Sequence, residues 1–268
     1  MEARDLYDQG KLSEAISKLN EDVKGNPTDK SARGFLAVLL CFQGNLERAD
    51  KQLNAMVKMD PEAEVGISLM RQLIRAEQAR QQFFNEGRLP EFLATPIPRT
   101  ELQLKASVSI RDKNLSEAND LLAQAEELRG ETPGQAAGES ITDFRDADDL
   151  IGGHLEVLTS TGKYYWIPAE SFEELEFHKP ERPRDLLWRR ASATVTDGPT
   201  GDIYIPTIYA PVREGVDESS LLGRSTEWLG GDGEPMRGSG LRTFIVGEEA
   251  KTVLELTELS FAAQGAAD

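Results

Sequence analysis

The chain has 268 residues, 39% hydrophobic and 29% charged, which excludes wholesale disorder and supplies enough apolar material for one large core or two modest ones. No apolar run approaches the roughly 18 residues that span a bilayer, and the opening MEARDLYDQGKL lacks a signal peptide's basic flank and apolar stretch, so the expected compartment is the cytoplasm. Of the net charge of −17, residues 1–129 carry 18 Lys and Arg against 21 Asp and Glu, and residues 130–268 carry 12 against 26; the acidic second half disfavours nucleic acid and anionic membrane as partners.

From the start of the chain the sequence repeats itself with a period of 34: Gly10 with Gly44, Leu12 with Leu46, Ala15 with Ala49, Leu19 with Leu53, and Pro27 with Pro61. Thirty-four residues is the length of one tetratricopeptide helix-turn-helix unit, and each matched position has a physical task. The glycines close the first helix of each pair by adopting a left-handed turn. The alanines are small where two helices cross, and the leucines at i+4 fill the groove between them. Asn26-Pro27 and Asp60-Pro61 stop the second helix, because proline cannot continue one.

Glu64 to Glu86 reads as one longer helix, followed by a proline-bearing connection, Pro90 to Pro98. LSEA at Leu12–Ala15 recurs at Leu115–Ala118, so a degenerate unit is expected over about Leu102 to Arg129. Stacked helix pairs bury a continuous core and leave a concave face on which partner segments lie; Arg33, Gln43 and Arg71 are the candidates for that face. Cys41, the only cysteine, sits in an apolar helical run and reads as core.

Beyond Arg129 the stretch GETPGQAAGES has turn formers and no periodicity, so 130–145 reads as a linker between a helical domain, 1–129, and a β-rich domain, 146–268. In the latter, hairpins are expected from Leu155–Leu158 to Tyr164–Ile167 through Thr161-Gly162, and from Ala191–Thr196 to Ile203–Ile205 through Asp197–Gly201. A third is expected from Thr243–Val246 to Thr252–Leu256, turning at Gly247–Glu249, and Phe172–Glu176 reads as a short acidic helix. The fold class is therefore α+β: a tetratricopeptide-like superhelix followed by a β-rich, small barrel-like domain.

Chemistry is sparse. With only His154, His178 and Cys41, a zinc site or a His-activated nucleophile is poorly supplied, and no catalytic, cofactor or metal residue is assigned. Asp146-Ala147-Asp148-Asp149 lacks the glycine and distal glutamate of a calcium loop and reads better as a cap. Gly238-Ser239-Gly240 precedes a strand-like segment rather than a helix, so it is no phosphate cradle.

Five ordered blocks span the second half: DADDLIGGHLEVLTSTGKYYWIP (Asp146–Pro168), RDLLWRRA (Arg184–Ala191), DIYIPTIYAP (Asp202–Pro211), GRSTEW (Gly223–Trp228) and RGSGLRTFIVGE (Arg237–Glu248). Together they resemble the ImpE family, also called SciE-type or TagJ, accessories of the bacterial type VI secretion system. The resemblance implies a non-enzymatic adaptor that contacts the small, TssB-like subunit of the contractile tail sheath and, through it, the ClpV unfoldase that recycles sheath. Within the blocks, Tyr165, Trp166, Trp188, Arg189, Tyr209, Arg224 and Trp228 read as fold-defining, and Trp166, Trp188, Arg189, Arg224 and Trp228 join the candidate partner residues. A second reading stays open: an enzyme or small-ligand sensor housed in the β-rich half.

Overall fold

The computed structural model describes residues 2–60, 62, 64–210 and 215–261. Pro61, taken as a helix stop, and Pro211, the end of one block, lie outside them. The helical half comprises α1 (Ala3–Asp8), α2 (Leu12–Gly25), α3 (Lys30–Phe42), α4 (Leu46–Met59), α5 (Glu64–Glu86), α6 (Pro98–Arg111) and α7 (Leu115–Arg129).

The repeated positions act as their spacing requires. Ala15 and Ala49 are fully buried, and Leu19 and Leu53 nearly so. Gly10 and Gly44 sit at φ of 84° and 78°, and in each turn the next residue's N–H reaches back five residues, Lys11 to the Leu6 carbonyl and Asn45 to that of Leu40. The α6–α7 pair repeats this turn, with Asn114 N–H donating to the Ser109 carbonyl, but the left-handed position is taken by Lys113 at φ 62°. The degenerate unit thus keeps the geometry without its glycine.

The strands are β1 (Gly134–Ala136), β2 (Glu139–Ile141), β3 (Phe144–Asp146), β4 (His154–Leu158), β5 (Tyr164–Pro168), β6 (Phe172–Phe177), β7 (Trp188–Val195), β8 (Thr200–Pro206), β9 (Thr226–Gly231), β10 (Glu234–Gly240), β11 (Thr243–Val246), β12 (Glu249–Thr252) and β13 (Glu258–Phe261). A one-turn helix, α8 (Glu218–Leu221), precedes β9. Eight strands form one open sheet in the order β2-β1-β13-β6-β7-β8-β4-β5; β9 and β10 make a ribbon, and β12-β11-β3 a small third sheet. The α+β class stands, but these sheets are open rather than barrel-like.

The expected hairpins β4–β5 and β7–β8 form, with Leu158 opposite Tyr164 and Ala191 opposite Ile203. Three segments differ from expectation. Phe172–Phe177 is a strand rather than an acidic helix, because it lies between β7 and β13 and its acids face outward while Phe172, Leu175 and Phe177 are buried. The stretch read as a linker contains β1 and β2 and enters β3; β1 pairs with β13, so a distant strand supplies the hydrogen bonds that local composition does not suggest. The last hairpin turns at Gly247-Glu248 and its return strand begins at Glu249.

Period-two alternation splits the large sheet between two cores. Tyr164, Trp166, Trp188 and Tyr204 join the helical core of Leu36, Leu40, Leu73 and Phe83. Leu155, Val157, Ile167, Ala191 and Ile205 face the other way and pack with Phe144, Phe244 and Val246 of the small sheet. Strand β4 is therefore buried on both faces, and helices and sheet share a core.

A left-handed non-glycine residue costs about 1 kcal/mol. Lys113→Gly is accordingly expected to raise stability by about 1 kcal/mol, and Gly10→Ala to lower it by a similar amount, in urea titrations of the full chain.

Candidate functional site

Helix α5 carries Leu73, Ala76, Phe83 and Phe84 on its buried stripe, and Glu77 and Arg80 fall on that same stripe. Arg80 donates from Nε and Nη2 to both oxygens of Glu156 on β4, each at 2.9 Å, from Nη1 to Glu77 Oε1 at 3.1 Å, and from Nη2 to the Ile208 carbonyl at 3.0 Å. Glu77 accepts from Trp188 Nε1 at 3.1 Å. Glu156 also accepts from the Tyr164 hydroxyl at 2.5 Å, which in turn accepts from Trp166 Nε1, and from Arg242 Nη2.

The aspartates of the first block extend this network. Asp146 Oδ1 accepts from the Asp148 N–H and the Tyr209 hydroxyl, both at 2.8 Å, and its other oxygen lies 3.6 Å from Arg242. Asp148 accepts from Arg237 Nε, the Gly238 N–H and the Leu150 N–H. Asp149 accepts from Arg145 and the Met236 N–H. The run caps its own turn and ties down β10, and among the described residues no group of three or more His, Cys, Asp and Glu is placed to hold a metal ion.

Burial sets the electrostatics. Desolvation alone would raise the Glu156 carboxyl, but Arg80 and Arg242 outweigh it and hold it at about 2. Glu77 is pushed up by burial, partly countered by Arg80. Asp146, buried and next to Asp148, is raised to about 7. His154 is lowered to about 3 by burial and then by Arg99. Burial also raises the Cys41 thiol well above its ordinary value. The network is built to stay fixed, since each charge meets an opposite one.

The candidate partner residues scatter over the molecule. Trp166 and Trp188 are interior, held by Tyr164 and Glu77, and Arg189 is buried, donating to the His178 and Val253 carbonyls. These three hold the fold together. Arg33 donates to the Pro27 carbonyl and Gln52, and Arg71 pairs with Asp50 through two hydrogen bonds. Arg224 lies over the Tyr7 ring and donates to the Tyr7 and Asp8 carbonyls, securing the end of α1. Trp228 is 42% exposed against Tyr209, and Gln43 is exposed at the end of α3.

Gln43 belongs to an open groove of about 650 Å³ between the α3–α4 turn and α5, lined by the amides of Asn45, Gln78, Gln81, Gln82 and Asn85. A second groove, of about 510 Å³, lies between the α5–α6 connection and the β7–β8 turn, with Trp166 and Ile167 among its lining residues. Sequence reasoning did not single out Glu77, Arg80, Glu156 and Arg242. Glu77 and Arg80 carried a readable signal, two charges on an otherwise apolar helical stripe; Glu156 and Arg242 had none, since their partner is 76 or more positions away.

Arg80→Met, which strips Glu77 and Glu156 of a buried cation, is expected to cost about 3–5 kcal/mol by chemical denaturation. On acidification, the Glu156 contribution is complete above about pH 4 and lost toward pH 2, while the neutral burial of His154 makes stability fall as pH drops from about 6.5 to 3. Asp146 acts oppositely, favouring the fold as pH falls from about 7 to 4. Between pH 6.5 and about 4 the two effects oppose each other, so His154→Gln is expected to leave the Asp146 effect unopposed and make stability rise as pH falls through that window, measured by urea titration at each pH.

Residues 138–260 match the family model described as ImpE protein, and residues 6–73 one described as tetratricopeptide repeat. The chain is 30% identical to the type VI secretion system accessory component TagJ of Pseudomonas aeruginosa over 261 residues, 97% of this chain and 91% of that one. A crystal structure of a protein from Vibrio parahaemolyticus is similar with a TM-score of 0.91 and 30% identity, covering 97% of each chain. A relationship that runs through helices and sheets alike places this chain in the ImpE family.

Proposed function

We propose that this chain is a non-enzymatic adaptor of a type VI secretion system, acting in the cytoplasm, that binds the small sheath subunit and links it to sheath recycling by the ClpV unfoldase. The observation that carries this reading is the similarity to TagJ, an accessory component by name, along 97% of the chain, so that repeat scaffold and β-rich half are shared as one unit. The architecture supports it. Tetratricopeptide-like helices present a groove whose amide side chains both donate and accept hydrogen bonds, the chemistry that polypeptide recognition uses. The most strongly perturbed carboxyls, Glu156 and Asp146, are spent on internal partners rather than aimed at a cleft. No helix among the described residues is long and apolar enough to cross a membrane.

Titrating the N-terminal segment of the purified small sheath subunit into the full chain is expected to give saturable binding in isothermal calorimetry. Absence of any heat of binding to that segment and to the intact subunit would overturn the reading.

A further inference from the structure

The α5–α6 connection crosses the outer edge of the large sheet. Glu91 alone pairs there: its N–H donates to the Tyr164 carbonyl at 2.8 Å, its carbonyl accepts from the Trp166 N–H at 3.2 Å, and its carboxylate meets Lys163 at 2.7 Å. Having closed this edge, the chain leaves it, and Phe92 to Ile97 become one wall of the 510 Å³ groove. Leu89, Leu93 and Ile97 on this short stretch are 62%, 45% and 38% exposed. Among the described residues only Met59, Val108, Leu128 and Trp228 are comparable, and they are spread over other elements. Apolar side chains concentrated on one connection beside a groove mark a contact surface.

The groove also has buried polar groups in its lining. His154 is 1% exposed, and its Nε2 is engaged by the Thr100 hydroxyl while Nδ1 has no partner among the described residues. Glu170 uses one oxygen on Arg99 and leaves Oε2 buried and unpartnered, as is Thr196 Oγ1. Exposed Asp197 stands at the β7–β8 turn beside them. Buried polar atoms without partners are costly and uncommon, and here three of them line one groove. Glu170 and Asp197 can only accept while ionised, so the complementary group is a donor, and a cationic one suits both.

We propose that this groove seats a polypeptide segment of the partner, which lays bulky apolar side chains on Leu93 and Ile97 and directs an arginine or lysine toward Glu170 and Asp197. A further exposed leucine, Leu89, stands on the same connection outside the groove, so the apolar contact surface is not confined to the cavity, which suits a chain segment better than a small molecule. The partner's identity rests on the adaptor reading above; the groove's chemistry does not.

The test measures binding of the purified small sheath subunit by calorimetry to the full chain and to three variants: Leu93→Asp with Ile97→Asp, Asp197→Lys, and, as a control in the exposed β11–β12 turn, Glu248→Ala. The altered apolar residues are exposed, so melting temperatures are expected to stay near wild type. The double aspartate variant is expected to weaken binding by about 30-fold or more, and Asp197→Lys by about tenfold, with Glu248→Ala within about threefold of wild type. If wild type binds and the double aspartate variant binds equally well, the groove assignment is overturned and the adaptor reading stands. If wild type does not bind, both fall. A wild-type dimer dispersed by the double aspartate substitution would show that a second copy covers the groove, which also overturns the assignment.

Discussion

The structure turns on one buried ion pair, Arg80 of the long helix against Glu156 of a strand buried on both faces. Removing two charges from water is costly, and the cost is offset only when geometry is good and the remaining donors and acceptors are filled. Here they are: Arg80 also reaches Glu77 and the Ile208 carbonyl, and Glu156 also receives Tyr164 and Arg242. An arrangement so fully specified allows the helix and the strand one relative position. The aromatic side chains around it, Phe83 against Trp166 at 4.8 Å and Trp188 hydrogen-bonded to Glu77, fill the space that exact placement leaves.

From this follows a division of labour among polar residues. Several arginines that sequence suggests for a partner serve the chain itself: Arg189 and Arg224 bind backbone carbonyls, and Arg71 binds Asp50. Arg224 and Glu218, from the segment before β9, grip the end of α1 and the start of α2, so the second half clasps the outermost repeat as well as α5. A scaffold held at both places presents its grooves in fixed geometry, which lowers the entropic cost of receiving a partner.

How much was legible varies with how local the cause is. Leu12, Ala15 and Leu19 could be assigned from spacing because helix packing acts over three or four residues, and Gly44 because a left-handed turn is a property of one residue. Phe172–Glu176 reads as a helix because its pattern of two acids between apolar residues suits one in isolation; only the strands on either side decide otherwise. In α6 the buried face consists of Arg99, Thr100, Gln103 and Ser107, so it shows little amphipathic pattern, and its polar groups bond to Leu150, Ile151 and His154 of the other half.

The sequence by itself determined the helical repeat, the two main hairpins and, through its ordered blocks, the family, because each is written in residues close together or in a fixed order. Tertiary structure alone decided that β1 and β2 join the large sheet, that Trp166, Trp188 and Arg189 are interior, and that a loop and a distant turn enclose a groove. The physical reason is the same in each case: these outcomes depend on hydrogen bonds, ion pairs and burial between residues far apart in the chain, and no local preference encodes where such partners will meet.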